Sequence, residues 1–249
     1  MEKRVRDRLG VLLVGLSGIA MLAALGMVFL YAPREVTMGD VQRIFYFHVA
    51  SAWVGFFAFF VTSLGGIGYL VRGERRWDVL ALSSVEIGLA FITMTVITGS
   101  LWARPVWGTY WTWEPRLTIS AVQLLIYLAY VMLRAAIEAP ERRARFAAVY
   151  GVVAFVTVPF SWFAIRWWRT IHPDILTGGG GMAITPRMIH ALLSSLAAFT
   201  LLYATLLRLR MRLEQASDTL ACLRGRICAI STAPLEKESR PRGAGGPTI

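Results

Sequence analysis

The chain has 249 residues, of which 56% are hydrophobic, and its formal net charge is +11. Several stretches free of charged side chains are long enough to cross a bilayer, which excludes a single soluble core as the architecture. The basic residues lie mainly in short segments between these stretches, a distribution that indicates membrane topology and argues against nucleic-acid binding.

Six apolar segments are predicted to be transmembrane helices, because each has about the 20 residues that a helix needs to span a bilayer. The first lacks the cleavage site of a removed signal peptide. We therefore expect an all-α integral membrane protein, a six-transmembrane-helix bundle over residues 11–212. The bundle follows a basic N-terminus (1–10) and precedes a polar tail (213–249) that is predicted to be disordered. The six segments are Val11–Tyr31, His48–Val71, Val79–Leu101, Thr118–Ile137, Phe146–Ile165 and Met188–Leu207.

Lysine and arginine positions predict the orientation of the bundle. The N-terminus, the connections after the second and fourth segments, and the C-terminal tail are the arginine-rich regions on one side. By the positive-inside rule, both termini are predicted to be cytoplasmic. The connections 32–47, 102–117 and 166–187 are then predicted to face outward.

The second outward connection has an unusual composition, with four tryptophans and one tyrosine within residues 102–113. An ordinary interfacial belt places tryptophan at both membrane surfaces, and for Trp167 and Trp168 that interpretation stays open. It does not explain why most tryptophans of this chain fall on one side. The pattern predicts an outer-face site for a flat, aromatic, anionic macrocycle. The tryptophans in the outward connections are Trp102, Trp107, Trp111, Trp113, Trp167 and Trp168.

All three histidines of the chain are predicted to lie on the same outer side. His48 begins the second segment, and His172 lies in the third outward connection. His190 lies about one turn into the sixth segment, after a predicted helix start with Thr185 as the cap and Pro186 in the first position. A single histidine near a membrane surface is usually a hydrogen-bonding residue. Two histidines that flank a tryptophan-rich connection instead fit the axial ligation of haem iron.

Residues 107–118, WGTYWTWEPRLT, resemble the tryptophan-rich WWD signature of haem-handling membrane proteins, and the layout is similar to that of the CcmC family of system I cytochrome c maturation. The similarity covers roughly residues 10–210 and includes the Trp-Trp-x-x-x-His sequence that ends at His172. It implies that His48 and His172 are the axial ligands of haem iron. The chain departs from the family pattern at Glu114, where Asp is usual, at Tyr110, where Trp is frequent, and at Ala50, where Pro is common.

Indoles are suited to binding a porphyrin because they can stack against its plane and remove aromatic surface from water. Trp107, Trp111 and Trp113 are predicted to line such a slot, although their spacing does not decide which of them touch the ligand. Gly108 is expected to let the backbone turn or approach closely.

Haem also carries two propionates, and arginine pairs well with carboxylates. Arg116 is the preferred partner because it lies within the signature. Glu114 is interpreted as structural within the site, by orienting an indole N–H, pairing with an arginine or contacting the ligand. The weaker arginine candidates are Arg43, Arg104, Arg166 and Arg169.

The resemblance implies transient binding of b-type haem and its delivery at the periplasmic side of the bacterial cytoplasmic (inner) membrane. The implied partners are a CcmE-like haem chaperone, a CcmA/CcmB-like ABC transporter and a CcmD-like small membrane protein. No GxxxxGK[ST] motif is present, so any ATP hydrolysis is expected from a partner. No catalytic residue is predicted, and Cys222 and Cys228 are assigned no role.

Three alternatives remain open. A cytochrome c synthetase component of the CcsA or CcmF type shares the signature, but is expected to have more histidines than this chain. A permease for haem or another substrate is expected to show polar groups along a path through the membrane, where only Glu86 stands out as an ionisable residue at depth. A purely structural subunit would use its tryptophans as lipid anchors and would bind no cofactor.

Overall fold

In this computed structural model, residues 2–168, 172 and 184–232 are described. They contain seven α-helices and no β-strand; a π-helical turn at Met27–Tyr31 continues α1, and a 3-10 turn at Asp40–Gln42 precedes α2. The predicted all-α membrane fold is confirmed, since six segments are long and apolar enough to cross a bilayer. The helices are α1 (Glu2–Gly26), α2 (Arg43–Arg72), α3 (Arg75–Trp107), α4 (Pro115–Ala136), α5 (Pro140–Ala154), α6 (Thr157–Trp167) and α7 (Pro186–Thr232).

The chain divides into two compact units, Met1–Leu209 and Arg210–Ile249. The first contains the bundle. In the second, residues up to Thr232 are helical, where the composition predicted a disordered tail from residue 213, and residues 233–249 lie outside the described part. The predicted start of the last segment is confirmed, because Pro186 opens α7 and the backbone N–H of Met188 donates to Thr185 Oγ1 at 3.4 Å.

The fifth predicted segment consists of two helices rather than one. α5 ends at Ala154 and α6 begins at Thr157. Pro159 explains the interruption, because proline lacks the N–H that would continue the ladder and its ring clashes with the carbonyl four residues earlier, here Phe155. The hydroxyl of Thr157 donates to Ala154 O at 2.7 Å at this break.

α2 and α3 pack closely along their length because small residues face the partner helix. A Cβ atom added at Gly65 would lie 3.0 Å from the backbone N of Ala81, and one added at Gly88 would lie 2.8 Å from Cε1 of Phe59. Neither position has room for a side chain without displacement of its neighbour. The two helices therefore form the closely packed centre of the first unit.

α4 presents a polar face to the bundle interior. Gln123, Tyr127, Tyr130 and Arg134 lie three or four residues apart, so they share one face of the helix, and all four are buried. At the end of this face, Arg134 donates two hydrogen bonds to the buried carboxylate of Asp78 on α3, at 2.5 and 3.1 Å. The face therefore ties α4 to α3 at the end away from residues 102–114, which we call the tryptophan-rich segment.

Candidate functional site

About half of the tryptophan-rich segment belongs to the end of α3. α3 continues through Trp107, so Trp102 and Trp107 lie on a helix, and only residues 108–114 are irregular. Gly108 ends α3 with φ +77°, a left-handed conformation that glycine adopts without steric cost. Its N–H donates to Arg104 O at 3.0 Å, and the Arg104 guanidinium donates back to Gly108 O. Gly108 therefore supplies the turn that the sequence predicted there.

Glu114 is the N-cap of α4. Its carboxylate accepts a hydrogen bond from the backbone N–H of Leu117 at 3.1 Å, and Pro115 occupies the first helical position. Both are favourable at a helix start, because a side-chain oxygen satisfies an unpaired backbone donor and proline has no N–H to satisfy. This arrangement fixes the direction in which α4 leaves the segment, and with it the position of Arg116.

A cavity of about 840 Å³, its open mouth included, lies beneath this segment. We call it the tryptophan-end cavity. Five of the eight predicted site residues line it, and they come from α2, α3, α4, the irregular segment and the third connection. These five are His48, Trp107, Trp111, Arg116 and His172.

The rings of the two predicted iron ligands lie close together. The ring centroids of His48 and His172 are 6.4 Å apart, and the ring planes are inclined by 38°. His48 lies in the second turn of α2, which gives its ring a fixed origin. Two residues 124 positions apart in sequence are therefore brought together in one cavity.

Aromatic side chains form much of the cavity wall. Trp102 and Trp107 are in edge-to-face contact, with centroids 5.3 Å apart. The indole N–H groups of Trp102 and Trp111 are buried and have no hydrogen-bond acceptor among the described residues. Since an unpaired buried donor is costly, these two groups are suited to a ligand that carries acceptor oxygens.

Arg116 adds a positive charge to the same cavity. It lies one residue into α4 after Pro115, and its Nη1 donates to Ser161 O on α6 at 3.1 Å. The other arginine candidates lie elsewhere in the described part: Arg104 caps α3, Arg43 donates to Val28 O and lies over the ring of Phe29, and Arg166 is exposed. Arg169 lies outside the described residues.

The remaining predicted site residues do not line the cavity. Gly108 and Glu114 shape its rim through the two helix ends. Trp113 is 79% exposed and meets Trp111 edge to face, with centroids 5.8 Å apart. His190, which was given no ligand role, bonds through Nδ1 to the Tyr31 hydroxyl at 3.2 Å, away from the cavity lining.

Several residues in or beside the cavity were not identified from the sequence. Ser120 continues the face of α4 that begins at Arg116, and Thr98 and Gly99 on α3 lie against His48. The positions 116, 120, 123, 127, 130 and 134 follow a helical spacing of three or four that could have indicated the polar face of α4. For Thr98 and Gly99 no such signal exists, because both are common in membrane helices and their contact comes from another helix.

Comparison with known proteins shows that this chain is similar to the members of one protein family. The profile of the CcmC family, described as Heme exporter protein C, matches residues 2–223. A Heme exporter protein C of Bradyrhizobium diazoefficiens is 39% identical over 184 residues, which cover 74% of this chain and 70% of that protein. The Escherichia coli K12 protein of the same name is 33% identical over 186 residues, 73% and 74% of the two chains. A Paracoccus denitrificans relative of that name is 29% identical over 215 residues, 84% and 88%.

Proposed function

This chain belongs to the CcmC family of haem exporter proteins, and from that membership we propose that it binds haem in the tryptophan-end cavity and delivers it for cytochrome c maturation. The observation that carries the proposal is the pair of imidazoles, His48 and His172, 6.4 Å apart in a cavity walled by indoles. Haem is cargo here: the chain holds and orients it, and the reactivity belongs to haem itself.

The spacing of the two imidazoles supports a shared metal. A metal–imidazole bond is about 2.0–2.1 Å long, and the ring centroid lies roughly 1 Å further on, so two imidazoles on opposite sides of one metal have centroids about 6 Å apart. The centroids of His48 and His172 are separated by 6.4 Å. Such a pair suits the six-coordinate iron of a haem with two histidine ligands.

The cavity wall is suited to the rest of the molecule. Trp107 and Trp111 can remove porphyrin surface from water, and Arg116 can pair with a propionate. The unpaired indole N–H groups of Trp102 and Trp111 offer two further donors to carboxylate oxygens. Because charged and neutral donors lie beside an apolar wall, the cavity matches a ligand that is aromatic in its centre and anionic at one edge.

Delivery requires partners, which we propose from the family. The cavity would face the periplasm and present haem to a CcmE-like chaperone, while a CcmA/CcmB-like ABC transporter would supply ATP hydrolysis and a CcmD-like small membrane protein would join the assembly. The arginine distribution supports this orientation, since the tryptophan-rich segment lies between segments whose opposite ends carry the larger basic clusters.

An optical titration tests the proposal. Hemin is added to the detergent-purified protein and to His48→Ala, His172→Ala and His190→Ala variants, and spectra are recorded before and after dithionite. We expect the wild type and His190→Ala to give a Soret band with sharp reduced α and β bands, and both other variants to lose or alter them. A wild type that stays colourless after addition of hemin, or one whose spectrum is indifferent to both ligand substitutions, would contradict the proposed site.

A further inference from the structure

We propose that Thr98 and Gly99 of α3 hold the imidazole of His48 in one position and one tautomer; we call this pair of residues the seat of His48. In this tautomer the proton is on Nδ1, and Nε2 is available to ligate haem iron. The inference rests on the proposed function for its consequence, because that consequence is the ligation of haem iron by Nε2. The seat itself is a property of the apoprotein, and it makes Thr98 a positioning residue that acts through His48.

The hydrogen bonds at Thr98 assign the proton. His48 Nδ1 lies 3.2 Å from Thr98 Oγ1. The hydroxyl of Thr98 also lies 2.7 Å from Met94 O and 3.2 Å from Thr95 O, and carbonyl oxygens only accept hydrogen bonds. A threonine hydroxyl has one proton, which is used toward these helix carbonyls, so its oxygen is left to accept from the imidazole. Nδ1 therefore carries the N–H, and in the neutral ring Nε2 carries the lone pair.

Gly99 sets the position of the ring. A Cβ atom at residue 99 would lie 2.9 Å from Cε1 of His48, 3.4 Å from Nδ1 and 3.9 Å from Nε2. The edge of the ring that carries Nδ1 and Cε1 thus lies against the backbone of α3, and Nε2 is the nitrogen further from it. Any side chain at residue 99 would have to displace the imidazole, so glycine is required for this close approach.

Both contacts have a consequence for a metal ligand. A hydrogen bond from the second ring nitrogen fixes the tautomer and makes the ligating nitrogen a stronger donor, and its loss typically reduces metal affinity or activity about 10- to 100-fold. A stronger donor favours ferric over ferrous iron. Loss of the Thr98 oxygen is therefore expected to weaken hemin binding about tenfold and to make the reduction potential of the bound haem more positive.

Hemin affinity and the midpoint potential are measured for Thr98→Val, which keeps the shape of the side chain and removes the acceptor, and for Thr98→Ser, which keeps the hydroxyl. We expect the valine variant to show both changes and the serine variant to behave like the wild type. Gly99→Ala is expected to change the spectrum of the ferric protein, because the ring is displaced. The matched control is Thr200→Val on α7, where the lost hydroxyl accepts the indole N–H of Trp53 at 3.1 Å, outside the tryptophan-end cavity.

A second measurement needs no haem. With only three histidines in the chain, ¹⁵N-histidine NMR of the apoprotein in detergent can assign the signal that disappears in His48→Ala. We expect this signal to show a protonated Nδ1, and to lose that state in Thr98→Val. A ring protonated at Nε2 in the wild type would overturn the seat.

The two proposals fail in different ways. If His48→Ala abolishes the haem spectrum while Thr98→Val changes neither affinity nor potential, the seat is wrong and haem ligation by His48 stands. If His48→Ala binds hemin like the wild type, ligation by His48 is wrong, and the NMR result alone then decides whether Thr98 orders the ring.

Discussion

Glu114 lies where the tryptophan-rich segment ends and α4 begins, and it is the N-cap of that helix. Its carboxylate accepts the N–H of Leu117, so the direction of the first turn of α4 depends on it. Arg116 follows two residues later and reaches the tryptophan-end cavity from that turn. The acid of the signature thus acts on the cavity through helix geometry.

We expect Glu114→Ala to destabilise the protein by about 0.5–2 kcal/mol, because the N-cap hydrogen bond is lost. Glu114→Asp should retain most of the stability, since aspartate is also a favourable N-cap. Thermal unfolding in detergent, followed by circular dichroism, compares the variants with the wild type. Equal melting temperatures for the alanine variant and the wild type would contradict a capping role.

Some residues of the candidate site could be predicted from the sequence, and others could not. Trp107 and Trp111 were identified because tryptophans are crowded in this part of the chain, whereas His48, His172 and Arg116 were chosen with the help of the resemblance to the family signature. All five line one cavity. The contacts of Thr98 and Gly99 with His48 depend on how α3 packs against α2. Sequence patterns along one helix carry no information about that packing.

Among the helices, α4 differs most from its interpretation in the sequence. Hydropathy marks it as one more apolar span, and only Glu86 on α3 was expected to stand out as a polar group along a path through the membrane. The structure places the polar face of α4, from Arg116 and Ser120 to Arg134, inside the first unit. Gln123 and Tyr127 on this face have no exposed surface, so no open passage lies beside them among the described residues.

The ion pair between Asp78 and Arg134 joins the start of α3 to the last turn of α4. Both side chains are buried, with 4% and 6% exposed. Asp78→Asn is expected to destabilise the protein by about 3–5 kcal/mol, because it leaves the buried Arg134 charge without its carboxylate partner. Arg75 also pairs with Asp78, but it is partly exposed, so the loss of that pair contributes little. Asp78→Leu combined with Arg134→Met should recover most of that loss, since an apolar pair of similar volume replaces both charges.

The measurement is unfolding by sodium dodecyl sulfate from mild detergent micelles, which compares the wild type with Asp78→Asn and with the double variant. The matched control is Arg210→Met, which removes a partly exposed ion pair with Glu214 and should change stability by about 1 kcal/mol or less. If the double variant were no more stable than Asp78→Asn alone, the loss would have to come from something other than an isolated charge.

The helix boundaries could be predicted from the sequence only in part. The six spans were predicted because length and hydropathy alone decide whether a segment can cross a bilayer. The interruption between α5 and α6 was missed although Pro159 was visible, because a proline in a membrane span can also be accommodated by a kink. The extension of α3 to Trp107 was missed because hydropathy falls before the helix ends.

For the whole molecule, the arginine distribution predicts that the termini and the tryptophan-rich segment lie on opposite sides of the membrane. Cys222 is exposed and offers a natural reporter for the C-terminal side. In a Cys228→Ser background, a membrane-impermeant maleimide should label Cys222 only in inverted vesicles.

Tyr110, which is 57% exposed, supplies the opposite reporter. In a background lacking both native cysteines, Tyr110→Cys should be labelled in right-side-out vesicles before permeabilisation. Labelling of both positions from the same side would contradict the predicted topology.

The close packing of α2 on α3 has a mechanical consequence for the cavity. At Gly65, Gly88 and Gly99 the two helices leave no room for an added side chain unless a neighbouring group shifts, so we expect their relative position to be well defined. The wall of the tryptophan-end cavity that is formed by α2 and α3, with His48 and Trp107, is therefore expected to be its rigid side. We therefore expect any change in the width of the cavity to involve movement of α4, which contributes Arg116 to the lining, rather than movement between α2 and α3.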